Sequence, residues 1–381
     1  MRVNRDVEVS AVVVTGGAGF IGSAVVARLL EQGHEVIVID SLRADVHRDA
    51  GAAARARLSD RGVGLVELDV RDRAPLTDAL RGADAVVHLA AKVGLGVDLS
   101  DIDDYVSSND LGTAVTLRAA ADAGVPVVVQ ASSMVVYGEG RYTCATHGVV
   151  PPGPRVVDDL EAGRFEPPCP RCGQALAPGL VDEDERLDPR NTYAATKVSQ
   201  EHLAAVWARE TGGRAVSLRL HNVYGPGMPR NTPYAGVAAI FLSALARGES
   251  PRVFEDGGQR RDFVHVGDVA TAFVTAVGAA SATGTGAGAG GGRGGGETPY
   301  GLGPHTALNV GSGVVSTVGD LARALARAAA GQDPVVTGGY RLGDVRHITA
   351  SSERAAQVLD WRAVTALQDG VVDLVREAGL V

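Results

Sequence analysis

Val12-Val13-Val14-Thr15-Gly16-Gly17-Ala18-Gly19-Phe20-Ile21-Gly22 joins a run of β-branched residues directly to spaced glycines, and the apolar pattern SAVVARLLEQG follows at once. A valine run bounded by glycine, beginning near Glu8, reads as a buried parallel strand, and the segment after it as a helix. Strand, glycine turn and helix in that order suit a dinucleotide. Gly16 permits the tight turn, Gly19 lets the backbone approach a pyrophosphate, and Gly22 lets helix and strand pack closely. The first helical residues, Phe20 and Ile21, bring N–H donors and the positive end of the helix dipole to the same place.

Outward from this unit, the next strand, His34 to Ile39, ends in Asp40. An acid there accepts hydrogen bonds from an adenosine ribose, and its charge disfavours a 2′-phosphate, so NAD is expected rather than NADP. Arg43 lies close enough to blur that preference. Asp69 and Val70 follow the strand Val63–Leu68 and are placed to meet the adenine. His88-Leu89-Ala90-Ala91 ends a fourth strand beside the cofactor. Packing at a strand end would explain these last positions nearly as well.

A strand over Val125–Ala131 runs into Ser132-Ser133-Met134-Val135-Val136-Tyr137-Gly138. Much later Tyr193-Ala194-Ala195-Thr196-Lys197 stands in a helix opened by Asp188-Pro189-Arg190-Asn191. A Tyr and a Lys four apart share a helix face. An ammonium near a phenol favours the phenolate, which a general base requires, and a serine hydroxyl can hold the oxygen whose proton leaves. Ser133, Tyr193 and Lys197 are therefore the candidate catalytic residues, with Tyr193 and Lys197 also touching the cofactor.

With these motifs the chain resembles the extended short-chain dehydrogenase/reductase family of NAD-dependent nucleotide-sugar epimerases and dehydratases. The resemblance extends through Asn109 in Asn-Asp-Leu-Gly-Thr, Arg219-Leu220-His221-Asn222-Val223-Tyr224-Gly225-Pro226, Arg261-Asp262-Phe263-Val264-His265-Val266, Asn309-Val310-Gly311 and Gly343-Asp344-Val345-Arg346-His347. It implies that Asn222 lies near the sugar and diphosphate, and that Arg261 and Arg346 clamp the nucleotide diphosphate. A surface salt bridge is the plainer reading of either arginine. It further implies an α/β fold: a Rossmann-like doubly wound parallel sheet over residues 1–222 with a smaller C-terminal substrate domain over 223–381. Some later strands are free to rejoin the first sheet.

One local departure selects the reaction. The family's 4,6-dehydratases carry Asp-Glu directly after the residue matching Ser133, because removing water needs an extra acid and base. Met134 and Val135 stand there instead. Redox at one carbon remains, which is a 4-epimerase with tightly held NAD. Asn231-Thr232-Pro233-Tyr234-Ala235-Gly236-Val237, together with the cysteine-bearing insertion, most resembles the bacterial dTDP-L-rhamnose 4-epimerases, which interconvert dTDP-L-rhamnose and dTDP-6-deoxy-L-talose. A UDP-hexose or UDP-uronate 4-epimerase is the alternative. A non-catalytic NAD-binding sensor is the reading of another class, and the presence of both Tyr193 and Lys197 speaks against it.

Two segments interrupt the family pattern. The first, 140–181, holds Cys144, His147, Cys169 and Cys172, which account for every cysteine in the chain. Two chelating pairs in a proline- and glycine-rich loop fit a closed Cys₃His structural zinc site, a zinc-ribbon-like insertion. Three cysteines fit a disulfide framework poorly. The second, 278–296, is dominated by glycine and is expected to be a disordered surface loop.

Composition narrows the partners. A net charge of −9 argues against nucleic acid, and no apolar run approaches a membrane span. The polar start MRVNRDVEVS lacks a signal peptide's apolar segment, so a cytoplasmic protein is expected. Aromatics are only 4% of residues, so the core must be built from Ala, Val and Leu. Apolar patterns over Val106–Ala123 and Thr192–Arg209 would serve a four-helix homodimer seam, although burial against the sheet explains much of the same pattern.

Overall fold

The computed structural model describes residues 10–47, 51–94, 99–230, 236–282 and 301–380. Seven strands form one parallel sheet: β1 (Ala11–Thr15), β2 (Glu35–Asp40), β3 (Gly64–Glu67), β4 (Ala85–His88), β5 (Val127–Ser133), β6 (Arg214–Leu220) and β7 (His305–Val310). Their order is β7-β6-β5-β4-β1-β2-β3. The expected start of the first strand, Glu8, lies outside the described residues, as does the stretch 231–235 singled out above.

Register explains why the central strands are valine-rich. Val13 pairs with Val86, and Val86 with Val128, and all three enter one hydrophobic cluster. Their neighbours Val12, Val14, Ala85, Val87, Val127 and Val129 enter the cluster on the opposite face. A strand buried on both faces has no polar side, so the sequence reads as an unbroken apolar run. On the first face lie helices Arg73–Ala79, Gly112–Ala123 and Thr192–Thr211, contributing Leu76, Leu117 and Trp207. On the second lie Phe20–Glu31 and Val266–Ala282, contributing Val25, Leu29, Val269 and Phe273.

The strand order turns between β1 and β4, which opens a crevice at their carboxyl ends. A second cluster gathers helices Val237–Ala246, Val318–Ala328 and Leu367–Glu377 around Asn222–Tyr224, Arg260–His265 and Val315–Thr317, strands of a small three-stranded sheet. Between them, the helix Val266–Ala282 and β7 return to the large sheet. The part of the chain after residue 223 therefore contributes to both layers.

The glycine-rich segment starts later than its composition suggests. Helix Val266–Ala282 continues through Gly278, because Val274, Val277 and Ala280 pack against the sheet on either side of it. Residues 283–300, the heart of that segment, lie outside the described residues. The insertion 140–181 contains a three-stranded sheet of Tyr142–Cys144, Gly148–Val149 and Ala177–Pro178 and a short helix, Val157–Glu161. Its core is small: Tyr142, Cys144, Val150, Cys169 and Leu176.

Candidate active site and metal cluster

A cavity of about 400 Å³ opens at the carboxyl ends of β1 and β4. Gly16, Gly19, Phe20, Ile21, Gly22, Asp40, Asp69, Val70, Leu89, Ala90 and Ala91 line it, and so do Ser133, Tyr193 and Lys197. The glycines have steric reasons to be there. Gly16 has φ +71°, and a Cβ on it would stand 2.7 Å from the Ala90 nitrogen; one on Gly22 would meet the Gly16 carbonyl oxygen at 2.2 Å. Asp40 shapes the turn, its carboxylate accepting from the N–H of Ala18 (3.1 Å) and of Leu42 (2.9 Å). Asp69 is gripped by Arg71, with contacts of 2.6 and 2.9 Å to its two oxygens. Arg43 is occupied by Asp45 and Asp104, and the Asp104 contacts are both 2.9 Å.

Several lining residues were not singled out from sequence, Lys92 and His47 among them. Lys92 directly follows Ala91, and its ammonium reaches Asp104 at 2.8 Å and Asp101 at 3.2 Å. His47 points Nε2 at Asp40 across 3.6 Å. For Lys92 the signal was present, since it continues the strand-end motif; His47 sits in a loop with no motif.

At the reacting end, Asn191 caps the helix Thr192–Thr211 by accepting from the Ala194 N–H (2.8 Å), which places Tyr193 in the first turn. The Ser133 hydroxyl faces the Tyr193 phenol closely enough to favour its ionised form. The Tyr193 ring lies 6.2 Å from that of Tyr105, and burial pushes the phenol above its ordinary value. The Lys197 ammonium sits 5.7 Å from the Tyr193 ring centre and donates to the Ala131 carbonyl at 2.8 Å. In the site as it stands, the lysine is therefore anchored to the strand, and burial outweighs any help it gives the phenolate.

Burial also lowers the Lys197 ammonium to about 8, although Glu201 and Asp110 pull it upward. The unfolded lysine titrates near 10.4, so between these values the unfolded chain binds more protons. Stability should then rise as pH climbs from about 8 towards 10.4, by about 3 kcal/mol in all. Below pH 8 the folded protein carries the cost of the buried charge. Lys197→Met should abolish that rise, read as the wild-type-minus-variant difference in urea melts between pH 7 and pH 10. Lys92 is the chain's only other lysine, so few amines add background.

The three residues assigned to the substrate separate. Asn222 leaves its buried Oδ1 without a partner. Arg261 is half-buried and donates only to backbone carbonyls, those of Arg260, Val345 and Arg346; desolvation lowers it, and no described carboxylate lies within ion-pair distance. Both are free to meet an anion or a sugar, but neither lines the cavity. Arg346 requires a correction. All five of its N–H groups are taken by Glu166, Glu255 and Asp256 at 2.7–3.0 Å, with Phe165 beneath it (5.6 Å). A guanidinium saturated by three carboxylates has no fork left for a diphosphate.

In the insertion, one ligand atom from each of Cys144, His147, Cys169 and Cys172 lies within 4.8 Å of the others. The Cys144–Cys172 sulfurs are 3.7 Å apart, and His147 Nδ1 is 3.5 Å from Cys144 Sγ and 3.6 Å from Cys169 Sγ. A tetrahedral site with bonds of about 2.3 Å to sulfur and about 2.0 Å to nitrogen requires edges of about 3.8 and about 3.5 Å. The spacing fits. Sulfurs this far apart form no disulfide. The backbone N–H of Thr146, followed by those of His147, lowers the Cys144 thiol to about 6, which favours the thiolate a metal binds.

Fold, glycine turn and Ser-Tyr-Lys site together define the class: the chain belongs to the NAD dependent epimerase/dehydratase family, whose sequence profile matches residues 12–155 and 173–287. Among its relatives, the dTDP-L-rhamnose 4-epimerase of Burkholderia thailandensis is 33% identical over 95% of this chain and 93% of its own length. A UDP-glucose 4-epimerase of Mycolicibacterium smegmatis is 31% identical over 95% and 96%. The structure of Thermus thermophilus UDP-glucose 4-epimerase in complex with NAD superposes with a TM-score of 0.72 at 29% identity, covering 97% of this chain and 100% of that one. No helix among the described residues is long and apolar enough to cross a membrane.

Proposed function

We propose that this enzyme is an isomerase that inverts C4 of a nucleotide sugar, with dTDP-L-rhamnose and dTDP-6-deoxy-L-talose as the pair it interconverts. The observation that carries the reaction is the meeting of Ser133, Tyr193 and Lys197 on the glycine-turn cavity, with Met134 and Val135 following Ser133 in the chain. Ser133 holds the C4 hydroxyl, and the Tyr193 Oη takes its proton as the C4–H bond gives up a hydride. NAD, when bound by the residues from Gly16 to Ala91, supplies the acceptor for that hydride and the donor for its return. Lys197, held by the Ala131 carbonyl, carries charge beside the phenol. After the keto sugar turns its other face, Tyr193 gives the proton back, so atoms and electrons balance with no net oxidant. Neither Met134 nor Val135 can move a proton, which supports epimerisation over dehydration.

The dTDP-L-rhamnose reading is supported by the 33% identity to the Burkholderia enzyme, and the UDP-hexose alternative by a UDP-glucose 4-epimerase nearly as similar. Proton NMR of C4 configuration with each nucleotide sugar separates them. We expect conversion of dTDP-L-rhamnose; turnover of UDP-glucose or a UDP-uronate with none of dTDP-L-rhamnose would overturn the substrate, and turnover of none of the three would overturn the reaction.

The insertion is read as a structural zinc site with Cys144, His147, Cys169 and Cys172 as ligands, supported by the tetrahedral spacing and by four protein donors that leave no open position. A homodimer through the helices 106–123 and 192–211 is supported by the exposure of Val106, Leu111 and Val206 along them.

A further inference from the structure

Two histidines of this protein are almost fully buried beside the active cavity, and the fold treats them differently. His88, at the end of β4, is 3% exposed, and both ring nitrogens are satisfied: Nδ1 by the Thr15 hydroxyl at 2.8 Å and Nε2 by that of Thr113 at 3.0 Å. It is a core histidine with its partners built in. His221 is also 3% exposed, yet neither Nδ1 nor Nε2 has a partner. Burial, aided by the Arg261 charge, holds the His221 ring far below the ordinary imidazole value, at about 3, and burial with the Lys197 charge does the same for His88, so each is neutral. A neutral imidazole offers one donor and one acceptor, and an apolar side chain would fill the same space without leaving them unmet.

The position of His221 narrows what those nitrogens are for. Leu220, just before it, pairs with Ser133 on one side and Val310 on the other, and the His221 N–H donates to the Val310 carbonyl at 3.0 Å. Asn222, just after it, pairs with Phe263 in the strand that carries Arg261. His221 thus stands in the seam between the candidate catalytic serine and a half-buried arginine with no carboxylate in ion-pair distance, and it lines the cavity with Ser133 and Tyr193. In a nucleotide sugar, the ring lies between the reacting carbon and the diphosphate.

We propose that His221 binds the sugar ring, one nitrogen donating to a ring hydroxyl and the other accepting from a hydroxyl. This rests on the nucleotide-sugar reading above. It makes His221 a specificity residue: it recognises the hexose and contributes nothing to binding a nucleoside diphosphate alone.

The test uses the full-length enzyme as purified, with affinities measured by calorimetry for dTDP-L-rhamnose, UDP-glucose, dTDP and UDP, and NAD counted after denaturation. His221→Phe should weaken the preferred nucleotide sugar about tenfold or more while leaving its sugar-free diphosphate and the NAD content unchanged. His221→Gln, which keeps one donor and one acceptor, should recover most of the loss. If the Phe variant does not fold, His221→Met serves in its place. An equal loss for the sugar-free diphosphate, a loss of NAD, or no change in a folded variant would each overturn the proposal. A wild type that binds these ligands but turns none over would instead overturn the epimerase reading, and the sugar-dependent difference would still judge His221.

Discussion

Tyr193→Phe should lower turnover by about 10²–10⁴-fold without loss of NAD, the range expected when a general base is removed. The change takes away one oxygen. The ring stays packed near Tyr105, and Lys197 keeps its bond to the Ala131 carbonyl. The Ser133 hydroxyl loses the phenol it faces but remains able to hold substrate. Because substrate still binds, the loss should fall on kcat with KM changed little. Measuring both constants, with NAD counted per chain, checks the assignment. Undiminished kcat would remove Tyr193 from the chemistry, and would revive the reading of the chain as an NAD-binding sensor.

Cys169→Ala should produce the largest structural effect. Wild-type protein prepared without chelator is expected to carry about one zinc per chain, and the variant almost none. The insertion's own hydrophobic cluster is only five side chains, so zinc at the proposed site should supply much of its folding energy, on the order of 10 kcal/mol in isolated zinc modules. Without it, residues 150–176 should become open to protease while the NAD-binding sheet stays folded, because none of the four ligands lines the cofactor cavity. Wild-type preparations with under about 0.2 zinc per chain would defeat the assignment. So would a variant that stays folded and loses NAD.

The cofactor half was legible in the sequence because its signals are local. Gly16, Gly19 and Gly22 act within one turn, and Asp40 and Ala90 close on them from adjacent strand ends. All the residues assigned to the cofactor line a single cavity for that reason. Tyr193 and Lys197 were also readable, since four positions on a helix fix their shared face. The surroundings of Arg346 were not. Arg346 was assigned from a short motif, but its partners Glu166, Glu255 and Asp256 come from the insertion and from a turn some ninety residues earlier. No spacing rule connects such positions. His221 escaped notice because a histidine beside a strand end is ordinarily packed like His88; only the missing partners set it apart.

The ionic knot around Arg346 carries a consequence for anyone who would transplant the cysteine-bearing loop into a relative that lacks it. Glu166 of the loop also meets His347 at 2.8 Å, and Arg155 of the loop meets Glu255 at 2.7 Å. Grafting residues 140–181 alone would strand Glu166 and Arg155 opposite surfaces that never evolved to receive them. A workable chimera must move three pieces together: the loop, Glu255–Asp256, and Arg346–His347. What holds the loop is a patch of contacts, discontinuous along the chain.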